Sequence, residues 1–497
     1  MVRQRLGFLI LAGLFCLQIT PGLCKASELK AGVAKCLITN STPRILVNGP
    51  LSEGVNKDIT ARALTLNDGN TRLVFVTYDL NCLDVGTPIL RKRVQEELGL
   101  DPSHLILLAT HNHNAPIQIN PKNFDYGRWL ADRLFDLIQE AIENETGPVR
   151  VEFGFGDGYF VASSGNAPTD YEIQMLKVMK GDNPHAILFT HPTHPFQCSE
   201  EIVGAGHPGY AMEEMEEALP DTMILYADSC GGNQFPLPRH EINKILFEGS
   251  QKGTKHLNKV LTEYTKEWGH KLAQKALEIA DGDFVDVTGP LSATMEIISL
   301  PLRDPIPREE ALKLIEDVPE DVGFVPYPHE NRNTNWVRML LRYYDEGLPF
   351  PTRTTDMICT DDTYLIHKED KEFLEKYDYS INDELPCVYE ETIVAMIGDM
   401  PFVAMQGEVC APIGMRIKDT FRTNRPIFVT AYMGEHNLYI PTREIVRLNA
   451  YQAQVIQIQY ACPVGWSPEV EDEMVHAVNR MVRKMIGEEE PEEMESE

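Results

Sequence analysis

From about residue 30 to residue 485 the chain alternates apolar, β-branched runs with helical patterns. The apolar runs predict strands at "RLVFVTYDL" (72–80), "HLILLAT" (104–110), "VRVEFGFG" (149–156), "HAILFTH" (185–191), "TMILYAD" (222–228), "ETIVAMIG" (391–398), "PFVAMQG" (401–407) and "PIFVTAYM" (426–433). Helical spacing is clearest in "GRWLADRLFDLIQEAIENE" (127–145), where Leu130, Leu134, Leu137 and Ile138 share one face; residues 255–281 and 468–486 read the same way. Several strands are apolar throughout, so both of their faces should be covered. The pattern predicts an α/β fold: mixed β-sheets covered by helices, in a single large domain over residues 30–487. Residues 303–390, rich in Pro, Asp, Glu and Tyr, break the pattern and read as an insertion or cap with short helices. No repeat of fixed period and no linker divides the chain.

The two ends read differently. Arg3 and Arg5 precede the apolar run "LGFLILAGLFCLQI", and "TPGLCKAS" could hold a cleavage site, so residues 1–26 read as a secretory signal peptide. The run is too short to favour a membrane span, and no second span follows. The mature protein is expected to be exported, either secreted or held in a periplasm or cell envelope, with no transmembrane segment after signal removal. The acidic end "EEEPEEMESE" (488–497) reads as a solvated, disordered tail. A net charge of −30 argues against nucleic acid as a partner, because phosphates require Lys and Arg.

Of ten cysteines, eight lie beyond Cys24: Cys36, Cys82, Cys198, Cys230, Cys359, Cys387, Cys410 and Cys462. An even number in an exported chain permits disulfides, and Cys359 with Cys387 is the pair to test first. No CxxC cluster is present, which speaks against a zinc ribbon. Cys82, Cys230, Cys410 and Cys462 sit in apolar contexts and read as buried free thiols.

Five strands end on polar chemistry. "ILLAT" runs into His111 and His113, "AILFT" into His191 and His194, and "MILYA" into "DSCGGNQFP". "FVAMQ" runs into Gly407 and Glu408, and "IFVTAYM" into "GEHNLYIPT" with His436 and Tyr439. In α/β sheets ligands bind beyond the carboxyl ends of strands. If these strands are parallel neighbours, one pocket gathers all five ends. An extended 111–113 segment points His111 and His113 to one side. Such a pair can chelate a metal, can combine a ligand with a proton carrier, or can be an ordinary surface or core pair. A helical HExxH motif is absent.

With these residues in place, a resemblance emerges. "THNHNAP" resembles the THTHSGPG motif of the neutral/alkaline ceramidases, and further blocks match in order. They are "DITARALTLNDGNTRLVFVTYDLNCL", "LFTHPTHP", "HPGYAMEEMEEAL", "MQGEVCAPIGMRIKD" and "HNLYIPTREIVRLNAYQAQ", together spanning about 55–455. The resemblance implies a zinc ion (Zn2+) held by His111, His191, Glu408 and Tyr439. It implies that His113 and Tyr451 handle protons and the scissile carbonyl. Asp79 follows another strand and is a candidate to support the ligands from behind. The family's C-terminal immunoglobulin-like domain is not apparent.

Two departures bear on the substrate. The family carries a GDVSPN-type loop with a pocket serine, whereas "GNQFP" puts Phe235 there, beside Asn233. The family's arginine after the strand corresponding to 149–162 has no counterpart in "VASSGNAPTD". Gly231 and Gly232 fit either a tight turn or a pair of oxyanion donors. Cys230 reads as a buried thiol rather than a nucleophile. His194 reads as a hydrogen-bonded loop residue that could also ligate or orient, and His207 as a helix-start residue. Glu435 and His436 fit either loop or pocket. His256, His270 and His476 read as surface positions.

The expected function is an exported zinc-dependent hydrolase that cleaves an amide or related acyl bond of a small-molecule or lipid-like substrate by metal-activated water. The alternative is a non-catalytic, exported metal- or ligand-binding protein built on the same pocket.

Overall fold

The computed structural model describes residues 28–489 apart from 48, 84–85, 119–120, 197–200, 319–333, 354–389, 435–437 and 461. The signal-peptide reading, most of the acidic tail, Cys198, Cys359, Cys387, Glu435 and His436 lie outside the described residues. Among the described residues Cys36, Cys82, Cys230, Cys410 and Cys462 are buried free thiols, and no helix is long and apolar enough to cross a membrane.

Each of the eight expected strands is present, within about two residues of its expected ends. Four further long strands, Lys30–Leu37, Thr60–Asn67, Glu172–Lys180 and Leu291–Ile297, complete two sheets. The larger sheet runs Lys30–Leu37, Thr60–Asn67, Arg72–Tyr78, Leu105–Ala109, Phe428–Met433, Met400–Gln406, Glu391–Ile397, Leu291–Ile297. Its pairings read antiparallel, antiparallel, parallel from either edge, and the halves join at an antiparallel centre. The first and last thirds of the chain therefore share one sheet. The second sheet runs Met223–Asp228, Asn183–His191, Glu172–Lys180, Arg150–Asp157, Val285–Asp286.

The sheets face each other across an apolar core. Leu64, Phe75, Ile106, Leu108, Phe402 and Phe428 of the larger sheet meet Val151, Phe153, Leu176, Leu188 and Leu225 of the smaller. Phe402 stacks on Phe428 with ring centroids 4.7 Å apart and meets Phe75 edge-on at 5.0 Å. The outer faces are apolar too. On the larger sheet, Val74, Val76, Leu107, Val403 and Val429 pack under the helices Phe124–Glu143, Ala411–Phe421 and Val470–Ile486. On the smaller, Ile187, Phe189, Ile224 and Tyr226 pack under Gly206–Ala218 and Thr254–Ala280. Four layers, α/β/β/α, explain why so many strands are apolar without alternation: neither face meets water.

In the described part of 303–390, helices Arg308–Leu314 and Asn335–Glu346 form a small core from Ala311, Val337, Leu340 and Leu341. Asn335–Glu346 contacts the helix Tyr451–Ile458.

The parallel-neighbour expectation for the five polar strand ends is not met. Leu105–Ala109, Met400–Gln406 and Phe428–Met433 belong to one sheet, and Asn183–His191 and Met223–Asp228 to the other. The ends converge because the two sheets are stacked. Within the larger sheet, Leu105–Ala109 and Phe428–Met433 are antiparallel yet pair only at Met433 with Leu108, near the carboxyl end of each.

Phe402→Ala should test the inter-sheet core. It leaves a cavity between two rings and should cost about 3–5 kcal/mol in chemical denaturation. A loss below about 1 kcal/mol would show that the layers can collapse onto the gap.

Candidate metal centre

Beyond Ala109, the Thr110 amide donates to the Tyr78 carbonyl (3.0 Å), and His111 then takes a left-handed backbone, φ 53°. A non-glycine residue held this way costs about 1–3 kcal/mol and persists only where its surroundings dictate it. Here the next residue is tied down. The Asn112 side-chain amide donates to the carbonyls of Asp79 (3.0 Å) and Gly204 (2.6 Å), and its backbone N–H to Leu80 (3.0 Å). His111 and His113 consequently meet edge to face, Nε2 to Nε2 at 3.0 Å. They share one side as expected, but by a turn rather than by an extended segment.

Glu408 arrives from the other half of the larger sheet. Gly407 makes the corner with φ 83°, and a Cβ there would lie 2.5 Å from the Leu438 carbonyl oxygen. After it, Glu408 pairs with Tyr439 in a two-residue parallel ladder, which sets carboxylate and phenol side by side.

The smaller sheet contributes His194. Its Nε2 lies 2.9 Å from Glu408 Oε2 and 2.9 Å from the Tyr439 hydroxyl. His111 Nε2 lies 3.2 Å from the same Glu408 oxygen. His111, His113 and His194 form a group whose ligand atoms all fall within 4.8 Å of one another. The His194 Nδ1 contacts the carbonyls of Gly231 (3.1 Å) and Gln234 (3.2 Å). Carbonyls only accept, so Nδ1 carries a hydrogen, and Nε2 is the nitrogen turned toward Glu408.

The electrostatics follow from burial and contact. Burial raises the Glu408 carboxyl pKa, but His111 and His194 outweigh that and hold it well below the usual carboxylate range. Burial, with His111 and His194 as neighbours, pushes His113 well below an ordinary imidazole. Asp228, buried behind the site, is pushed up. Tyr432 lies against His111, centroids 4.4 Å apart, itself at φ 57°, and its buried hydroxyl has no partner among the described residues.

His191 is not brought into this cluster. Strand alternation explains why: His191 follows Ile187 and Phe189 onto the helix-covered face, whereas Thr190 follows Ala186 and Leu188 toward the other sheet. The His191 ring rests on Phe160 (4.9 Å), and burial pushes it down to about 4. Pro192 and Thr193 turn the chain, and His194 takes the place beside Glu408 that His191 was expected to hold. The Nδ1 of His207, in the first turn of Gly206–Ala218, accepts from the Phe196 amide (2.9 Å).

The remaining expected residues fall as follows. Asp79 faces Thr60, accepting from its amide and hydroxyl at 2.8 Å each; Asn81 lies beside His111 instead, 3.2 Å from Nδ1. The Gly232 amide donates to the Val409 carbonyl (3.0 Å), so it is not offered to an oxyanion. Gly232 serves close approach, since a Cβ there would sit 2.3 Å from the Glu408 carbonyl oxygen. The Asn233 side-chain oxygen accepts from the Ala411 amide (2.8 Å) and so caps the helix after Glu408. Phe235 stacks on His194, centroids 5.1 Å apart. Tyr451 opens the helix Tyr451–Ile458, 40 % exposed, its ring 5.9 Å from Tyr439. Cys230 is a buried thiol packed against Gly414, as read. His270 and His476 are exposed on their helices.

No protein-family model matches the chain, and no curated protein matches it in sequence. Solved structures do match: this chain has the neutral ceramidase fold. The neutral ceramidase from Pseudomonas aeruginosa superposes with a TM-score of 0.63 at 15% identity, covering 95% of this chain and 76% of that one. A structure described as ceramidase complexed with C2 gives 0.62 at 15% identity, covering 92% and 75%.

Gly232→Ala should cost about 1–3 kcal/mol as the added methyl pushes on the Glu408 backbone. Gly54→Ala, with nothing within 4 Å of its Cβ, is the control and should stay within about 0.5 kcal/mol. Equal melting temperatures for the two variants would refute the close-approach argument.

Proposed function

We propose that this chain is a zinc-dependent hydrolase of an amide (N-acyl) or related acyl bond, with the ion held by His111, His194, Glu408 and Tyr439. One observation carries the reading: nitrogen and oxygen donors from both sheets face one another at 2.9–3.2 Å in a buried cluster. Bare lone pairs at such distances repel unless a proton or a cation lies among them. Donors around a tetrahedral zinc sit roughly 3.3 Å from one another, and two imidazoles, a carboxylate and a phenol suit that ion. The Asn81 side-chain nitrogen lies 3.2 Å from His111 Nδ1 and so orients the ring while Nε2 faces Glu408. Both structural neighbours are ceramidases, which supports acyl hydrolysis on this fold.

A zinc ion, when bound, supplies Lewis-acid charge that acidifies water and polarises a carbonyl. The rest falls to side chains. His113, beside His111 and half-buried, is placed to take a proton from the attacking water and return it to the leaving amine. Tyr451, on the open side next to Tyr439, is placed to donate a hydrogen bond to the developing oxyanion. Phe235 covers the flank of His194 with an apolar ring, where the resembling family has a serine. Phe235 can neither donate nor accept a hydrogen bond, so the acyl or head group differs from that of ceramide. The substrate is lipid-like or another N-acyl compound, and the signal-like segment 1–26 supports export.

Metal analysis of purified variants tests the ligand set. His111→Ala, His194→Ala and Glu408→Ala should lose zinc, while His191→Ala and His113→Ala should keep it. Loss in His191→Ala with retention in His194→Ala would reverse the assignment. In zinc-loaded protein screened on N-acyl lipids, N-acyl sugars, peptides and esters, His113→Ala should lower turnover by about 10²–10⁴-fold. Near-normal turnover would remove His113 from proton transfer. Zinc loading with no hydrolysis of any acyl substrate would move the reading to a metal-bearing binding protein.

A further inference from the structure

Gln234 is fully buried and its side-chain amide is saturated. The Nε2 group donates to the carbonyls of Asp170 (2.9 Å) and Pro192. The Oε1 atom accepts from the Asp170 amide (2.6 Å) and the Ser163 hydroxyl (3.2 Å). An amide has two donor hydrogens and two acceptor lone pairs, and all four are used. The residue's own carbonyl accepts from the His194 backbone N–H (3.1 Å) and lies 3.2 Å from His194 Nδ1. Asp170 is in turn anchored: its carboxylate meets the buried Lys418 Nζ at 2.6 Å, on the helix that follows Glu408. One side chain thus joins the 163–170 segment, the 192–194 turn and, through Asp170, the helix Ala411–Phe421.

We infer that Gln234 is a positioning residue: it holds the Pro192 turn so that His194, not His191, faces Glu408, and its carbonyl, with that of Gly231, holds a hydrogen of His194 on Nδ1 and so leaves Nε2 for the metal. The inference rests on the zinc reading for its consequence, but the geometry stands without it. Gln234 touches no reacting atom; it acts through His194. The Pro192 carbonyl is the lever. It lies in the dipeptide where the chain leaves the alternation that buries His191, and without a donor it would be an unsatisfied buried acceptor.

The molecule contains its own control. Gln174 is equally buried and makes the same two-way clamp on a backbone, Nε2 to the Val429 carbonyl and Oε1 from the Val429 amide, both at 2.9 Å. It contacts none of the proposed ligands. A purely structural role predicts that the two glutamines respond alike; a positioning role predicts that they separate.

The experiment uses the full chain and zinc ion alone, titrated against a chromophoric chelator at a temperature where all variants are folded. Gln234→Glu removes both donations at constant shape and should weaken zinc binding by about 10–100-fold, the usual worth of a residue that orients a ligand, whereas Gln174→Glu should stay within about threefold. Equal losses in both variants, or no loss in Gln234→Glu, would overturn the proposal. If Gln234→Glu does not fold, Gln234→Met takes its place. A second measurement needs no folded variant at this position. Metal-free wild type labelled with ¹⁵N-histidine, with the His194 signal assigned through His194→Gln, should show a hydrogen on His194 Nδ1. An Nδ1 without a hydrogen would overturn the proposal. Wild type that binds no zinc yet carries the Nδ1 hydrogen would sink the zinc reading and leave the positioning role supported.

Discussion

A carboxylate buried between two imidazoles is the constraint on which the rest of this structure depends. Removing Glu408 from water carries a penalty of several kcal/mol unless charge and hydrogen bonds replace what hydration supplied. His111 and His194 supply that replacement, each from a different sheet. The compensation therefore exists only when the sheets are stacked with their polar ends in register. The inter-sheet core around Phe75, Phe402 and Phe428 supplies the apolar burial that holds them there. Around the carboxylate the seam stays polar, with Asp228 and Tyr432 buried beside it.

The palindromic pairing of the larger sheet makes this meeting possible. Each half consists of antiparallel strands followed by a parallel pair joined through a helix, Gly86–Leu98 in one half and Ala411–Phe421 in the other. The halves touch where their central strands end, so residues nearly 300 positions apart, such as His111 and Glu408, become neighbours. At that junction two non-glycine residues, His111 and Tyr432, both take left-handed backbone, and their tilted rings lie against each other. Strain of this kind persists where packing leaves no alternative, and it concentrates where side chains must be aimed.

Close backbone approach narrows the tolerance further. Gly407 and Gly232 sit where a Cβ would strike the carbonyls of Leu438 and Glu408. Lys418, only 2 % exposed, lies against both Asp170 and Glu172 under the same helix. These contacts lock the loops of the smaller sheet to the segment carrying Glu408. The donors in the cluster are therefore held by backbone and buried charge rather than by flexible loops, a preorganisation that metal binding and catalysis both need.

Strand identity, helix identity and the α/β class were legible in the chain, because burial on two faces writes itself as continuous apolar runs and burial on one face as helical spacing. The order in which polar residues follow those runs marked His111, Glu408 and Tyr439 as members of one site. What the chain could not show by itself was which strands share a sheet, since a run such as "HAILFTH" reads the same in either. It also could not separate His191 from His194. Both stand in "HPTH", and motif matching favours the first. The tertiary structure puts the second beside Glu408, because alternation along the strand commits His191 to the helix side, and only the turn at Pro192–Thr193 returns the chain to the seam. Asn81, Tyr432 and Gln234 escaped notice for a related reason. Each looks like an ordinary strand or loop residue, and each acquires its role from a partner that only stacking of the two sheets, or a turn between them, brings within hydrogen-bond or ring contact.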